Sequence, residues 1–360
     1  MNGYIVLETG EVFKGDIQGE LDKDIHAEIV FFTGMTGYQE VLSDPSFKGQ
    51  MVVFTYPLIG NYGLNEGDYE SIKPQASALI VSELSKGAYH YEANHSLENG
   101  CGNSNIPLIT NVDTRAIVKR IREHGDMRAV MTTNPEKVDF SKSIPLDQLD
   151  VVSDVVTNEI LSFGDGKEHI VLVDFGYKKS MVDVLVKLGC QVTVVPFTKM
   201  KEQIEQLKPD GILLSNGPGN PKQLAPYLKT IKGIAEKYPT LGICLGHQLL
   251  ALAFGADTEK LRFGHRGANQ PVLDKVTNKV YMTSQNHSYV VNELSLTETG
   301  LEPRFYNIND GSIEGLQHKN FPILSIQFHP EAHPGPSDSE KMFEMFVSMV
   351  KSKGREKVYA

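Results

Sequence analysis

This sequence has little cysteine, no excess of basic residues and no long apolar run, and each absence closes off a class of protein. Three cysteines, Cys101, Cys190 and Cys244, are too few and too odd in number for a disulfide framework, and they fit a reducing, cytoplasmic setting. No pair of closely spaced cysteines supports zinc, so no metal site is expected. The net charge of −10 lacks the basic footprint of a nucleic-acid binder. No uninterrupted apolar stretch approaches a membrane span. The first residues, Met1 to Glu8, show neither a basic segment nor a long apolar core, so no signal peptide is expected. A phosphate-cradling G-x-x-x-x-G-K-[ST] loop is also missing, which leaves the chain without a nucleotide site of that kind. There is no internal repeat and no low-complexity tract.

What is present begins with length. A chain of 360 residues is too long for one core and suits two domains. The second half alternates strand and helix: His169 to Asp174, then Lys178 to Leu188, Gln191 to Phe197, Lys201 to Leu207 and the Gly211 strand. That rhythm predicts an α/β domain, a parallel sheet with helices on both faces. A last helix is expected from about Ser337, with Ser337 and Glu340 as a capping box and Met342, Phe343, Phe346 and Met349 on one face. The first half reads as a smaller α+β domain. Its short strands are Tyr4 to Leu7, His26 to Phe32, Gln50 to Tyr56 and Gln75 to Val81, followed by an amphipathic helix from Asp113 to His124. Domains are predicted at 1–150 and 168–360, with 151–167 as a linker poor in periodicity.

The most informative run is Gly242-Ile243-Cys244-Leu245-Gly246-His247-Gln248. A buried strand, Thr240 to Ile243, leads into a cysteine flanked by glycines. A helix from His247 to Phe254, closed by Gly255, follows. Glycines on both sides permit a tight strand-to-helix turn, the geometry of a nucleophile elbow with sulfur for oxygen. The nearby helix N-terminus favours negative charge on that sulfur. Further on, Ile323 to Phe328 reads as a strand that empties into His329-Pro330-Glu331. Pro330 holds His329 extended, so Glu331 projects to the same side and can orient the imidazole. Nucleophile, base and orienting acid are then all available. Between these motifs, the strand from Gly211 runs into Asn216-Gly217-Pro218-Gly219, whose N–H groups, with that of Leu245, can form an oxyanion hole. From these residues alone the chain is a thiol hydrolase or transferase acting on an amide. His247 is expected to pack away from the sulfur, and His265 and His287 are read as solvated loop residues. Cys190 is read as core and Cys101 as a loop residue, neither with a role.

The ordered Gly-Pro-Gly loop, cysteine elbow and His-Pro-Glu ending resemble the class I triad glutamine amidotransferases over roughly residues 168 to 350. The amino-terminal blocks Phe32 to Glu40, Asp44-Pro45-Ser46, Thr55 to Gly63 and Val112-Asp113-Thr114-Arg115 are similar to the first domain of the carbamoyl phosphate synthetase small chain. The resemblance implies a flavodoxin-like C-terminal domain in which Cys244 attacks the side-chain amide of glutamine, His329 moves protons and Glu331 orients it. It further implies a glutamine pocket formed by Ser46, Gly217, Gly219, Leu245, Gln248, Asn286, Ser288 and Tyr289. Ser284 to Tyr289 would be a loop holding the amino-acid end of the substrate. Ser288 stands where Gly is common, Tyr289 where Phe is common and Asn220 where Asp is common; main-chain contacts tolerate the first two. The resemblance implies no cofactor in this chain and a large synthetase subunit as partner, carrying ATP and Mg. A free-standing peptidase or γ-glutamyl hydrolase would have no use for the amino-terminal blocks. A catalytically dead scaffold would have no use for an intact Cys, His and Glu.

Overall fold

The short strands of the first half close on themselves. The computed structural model describes residues 1–358, with side chains through Ser352. Residues 1–151 and 261–267 form one unit; residues 152–260 and those from 268 onward form the other. In the first unit the strands are β1 (Asn2–Leu7), β2 (Val12–Gln18), β3 (Ile25–Phe32), β4 (Gln50–Phe54), β5 (Leu58–Ile59), β6 (Ala78–Ile80), β7 (Glu83–Leu84), β8 (Leu108–Thr110) and β9 (Met127–Thr132). Seven of them form a closed barrel in the order β1-β2-β8-β6-β4-β3-β9, while β5 and β7 pair separately. Closure satisfies every strand edge. The unit's helices are α1 (Tyr38–Ser43), α2 (Leu97–Asn103) and α3 (Thr114–His124). The Asp113 carboxylate accepts from the Ala116 N–H at 2.9 Å and caps α3, which buries Ile117 and Ile121 in the barrel core and leaves Arg115, Lys119 and Arg122 outside. Cys101 lies within α2, buried, rather than in a loop: Ser96 caps that helix through the Asn99 N–H, an N-cap that outweighs the glycines around Cys101.

The second unit holds β10 (Leu161–Phe163), β11 (Glu168–Asp174), β12 (Cys190–Pro196), β13 (Gly211–Leu214), β14 (Thr240–Ile243), β15 (Thr258–Asp274, apart from residues 261–267), β16 (Lys279–Val291), β17 (Leu301–Asn307), β18 (Ile313–His318) and β19 (Ile323–Ile326). Its helices are α4 (Lys179–Lys187), α5 (Met200–Leu207), α6 (Leu228–Ala235), α7 (Leu245–Ala253) and α8 (Lys341–Val358). The ten strands run β10-β12-β11-β13-β14-β19-β18-β17-β15-β16. Within that order β12-β11-β13-β14-β19 are parallel, the flavodoxin-like arrangement. Successive residues of β11 feed opposite cores. Val171 and Val173 join α5, α6 and α7 on one face, whereas Ile170 and Leu172 join α4 and α8 on the other. Among the described residues no helix is long and apolar enough to cross a membrane.

Several local expectations shift. The elbow helix starts at Leu245, not His247, because it begins directly at the cysteine. Ser337 opens a single 3-10 turn whose cap position, Pro336, has no side-chain acceptor, and α8 begins only at Lys341, so the capping box does not form. Residues 161–163, inside the stretch without clear periodicity, pair with β12 as an edge strand. Ser284 to Tyr289 lie on β16, not in a loop, and His265 lies on β15. His287 is buried, with bonds to Gln285 Oε1 and Tyr289 O, and its Nε2 lies 3.8 Å from Glu314 Oε1 on β18.

Candidate active site

The parallel order sets the ends of β13, β14 and β19 side by side, and the cysteine stands at the middle one. Cys244 joins β14 to α7 with φ 52° and ψ −103°, a conformation that costs a side-chain-bearing residue strain. Neighbouring strand ends hold it: the Cys244 N–H donates to Ile326 O at 2.8 Å and the Gly246 N–H to Ser215 O at 3.0 Å. The flanking glycines are required by close approach. A Cβ on Gly246 would lie 2.2 Å from Leu214 O, and one on Gly242 would lie 2.7 Å from Gly246 O.

From the end of β19 the chain brings in an acid and a base. His329 Nδ1 lies 2.6 Å from Glu331 Oε1, both buried, and the His329 N–H donates to Ser284 O at 2.8 Å. Burial presses the proton affinity of His329 down. The charge of Glu331, with Cys244 and the Glu331 hydrogen bond acting the same way, more than offsets this and leaves it pushed up to about 10. Burial likewise works to raise Glu331, but the charges of Lys178 and His329 hold it down to about 2. His329 Nε2 is buried without a hydrogen bond of normal geometry, which leaves that ring edge to serve the sulfur. Such a set can take a proton from a thiol and return it to a leaving amine. His247 is not part of it. Fully buried on α7, it bonds Ser325 Oγ at 2.8 Å, and burial pushes it down to about 3, so it stays neutral.

The chain as a whole is similar to known proteins. Residues 171–349 match the glutamine amidotransferase class-I family, and residues 5–131 match the carbamoyl-phosphate synthase small chain, CPSase domain. Over the whole of both chains the sequence is 60% identical to the carbamoyl phosphate synthase arginine-specific small chain of Halalkalibacterium halodurans and 56% identical to that of Bacillus subtilis. It is 46% identical to the pyrimidine-specific small chain of Bacillus subtilis, covering 99% of this chain and 98% of that one. The chain belongs to the carbamoyl phosphate synthase small chain family.

In this small chain the other residues singled out from sequence fall as follows. Gln248, on α7, donates through Nε2 to Tyr289 O at 2.9 Å and to Gln327 Oε1 at 3.1 Å. Asn286 O receives the Cys244 Sγ at 3.7 Å. Asn286, Ser288 and Tyr289 share strand β16. Gly217 and Gly219 follow β13, and a Cβ on Gly217 would lie 2.2 Å from Phe175 O. Leu245 is the first residue of α7. Ser46 is in the amino-terminal unit, on the 3-10 turn Pro45–Phe47, with its N–H bonded to Asp44 Oδ1 at 2.9 Å. Two residues near the small chain's cysteine escaped the sequence reading. Lys178, just ahead of α4, sends a buried Nζ to Glu331 and, at 2.6 Å, to Ala332 O. Gln327 sends Nε2 to Cys244 Sγ. Lys178 read only as a polar residue opening a predicted helix, and Gln327 as a polar residue near the carboxyl end of a predicted strand.

Proposed function

We propose that this chain is the glutaminase subunit of a carbamoyl phosphate synthetase, working in the cytoplasm with a large subunit that carries ATP and Mg. The observation that carries the reading is a strained elbow cysteine set beside a buried His329–Glu331 pair, in a chain similar along its whole length to small chains of that enzyme. Cys244 gives its proton to His329 and attacks the amide carbon of glutamine. N–H groups of Leu245 and of the Gly217–Gly219 loop receive the oxyanion. His329 returns the proton to the departing nitrogen, ammonia leaves, and a glutamyl thioester remains. Water, deprotonated by His329, then releases glutamate. Glu331 holds the imidazole in one tautomer throughout. Gln248, Asn286, Ser288 and Tyr289 position the substrate. Ammonia passes to the large subunit, which joins it to activated bicarbonate. The two arginine-specific relatives exceed the pyrimidine-specific one in identity, which supports a product destined for arginine.

The test measures glutamate release by the subunit alone, with its partner, and with partner, ATP and bicarbonate. Release is expected to rise along that series. Cys244→Ser is expected to lose glutamine-dependent synthesis by about 10⁴-fold or more while leaving ammonia-dependent synthesis intact. Equal kcat in all three states would point instead to a free-standing hydrolase.

A further inference from the structure

Gln327 has no part in the mechanism above, yet its side chain is fully buried against the reacting sulfur. Its Nε2 lies 3.6 Å from Cys244 Sγ. Which end of this amide faces the sulfur follows from a chain of partners. The main-chain carbonyl of Tyr289 accepts only, so the side-chain nitrogen of Gln248 must face it, at 2.9 Å. That same nitrogen is 3.1 Å from Gln327 and needs an acceptor there, so the oxygen of Gln327 faces Gln248 and its NH₂ faces the sulfur. The Gln327 N–H of the main chain, bonded to Glu314 O at 2.9 Å, holds the residue in line with β18. The sulfur thus meets an acceptor, Asn286 O at 3.7 Å, and a donor, Gln327 Nε2. As a thiol it can use both. Once its proton has gone to His329 it is an acceptor only, and the amide donor gains strength as the charge appears.

We propose that Gln327 is a hydrogen-bond donor that stabilises negative charge on the sulfur of Cys244, with Gln248 fixing its orientation. This rests on the glutaminase reading, in which the sulfur carries charge twice: as it attacks the amide, and as it leaves when water opens the thioester. A fixed donor in a dry site acts on both steps without reorganising. Because Gln248 orients Gln327, a substrate contact at Gln248 has a two-residue route to the nucleophile.

The test follows iodoacetamide alkylation of the full chain against pH, read by mass spectrometry at the peptide carrying Cys244. Cys101 and Cys190 do not compete, since burial pushes their thiols up to about 12 and about 11. Two variants separate the roles. Gln327→Met removes donor and acceptor alike; Gln327→Glu keeps an acceptor for Gln248 but turns a carboxylate towards the sulfur. At neutral pH alkylation is expected to fall about tenfold in Gln327→Met, the loss of a hydrogen bond to a charged group, and further in Gln327→Glu. In Gln327→Met the deficit should close as pH rises. If Gln327 served only as the acceptor for Gln248, Gln327→Glu would be the milder change. That order, a parental rate in both variants, or a deficit constant across pH overturns the proposal. Gln327→Met by itself decides the matter through its pH profile if Gln327→Glu does not fold. Glutamate release by the parent is measured beside it. A parent that alkylates at Cys244 but releases no glutamate defeats the glutaminase reading and leaves the donor to be judged on alkylation alone.

Discussion

Lys178 Nζ stands 3.1 Å from Glu331 Oε1, with side chains 2% and 0% exposed. A lysine ahead of α4 therefore neutralises the acid that orients His329, and it also holds the carbonyl of Ala332, a residue with φ 59°. Removing one partner of a buried pair costs about 3–5 kcal/mol when nothing else faces the remaining charge; here His329 still faces Glu331, so the loss is expected to fall below that range. Lys178→Met is expected to lower the thermal midpoint markedly and to reduce glutamate release, because Glu331 then loses the main charge that keeps it ionised. A midpoint within a degree or two of the parent would show that the pair contributes little.

Glu331→Gln tests the orienting role. The amide keeps shape but not charge, so kcat for glutamine hydrolysis is expected to drop by up to about 10⁴, less than in Cys244→Ser, with KM little changed. Raised KM at constant kcat would assign Glu331 to substrate binding.

The ionised pair also predicts how stability follows pH. Folding raises His329 from 6.5 to about 10, so its contribution is complete below 6.5 and is given up as pH climbs through about 10. Folding lowers Glu331 from 4.5 to about 2, so its contribution is complete above 4.5 and is lost as pH falls through about 2. The thermal midpoint is expected to decline between pH 6.5 and 10, and to decline less in His329→Gln. Matching slopes in parent and variant would remove His329 as the source.

Gly217 tests the loop after β13. An added Cβ would lie 2.2 Å from Phe175 O and 2.8 Å from Leu245 Cδ2, so the loop must shift from its present position. In Gly217→Ala, kcat is expected to fall by about 10²–10³, the effect of one displaced oxyanion donor. Far-ultraviolet circular dichroism should remain parental. Unchanged kcat would place the oxyanion donors elsewhere.

Much of this was legible in the residues themselves. The strand Thr240–Ile243 has the bounds its apolar run predicts, and the paired glycines announce the turn at Cys244, because steric limits on adjacent residues act within a few positions of the chain. For His329-Pro330-Glu331 the pairing was readable but not its cause: the two side chains meet across a turn, closed by the Ala332 N–H donating to His329 O at 3.1 Å, and not along an extended strand. Other features depend on which strand lies next to which, and local pattern is silent about that. The antiparallel run β18-β17-β15-β16 turns an apparent loop around Asn286 into a strand, on which His287 is buried. Lys178 looks like any polar residue opening a helix until β11 and β19 set their ends on one side of the sheet, where the charge of Glu331 offsets the cost of burying an ammonium group. Gln327 lies two residues before His329 in sequence. Only the tertiary structure, by setting Gln248 of α7 against it, decides that its N–H group and not its oxygen meets the sulfur.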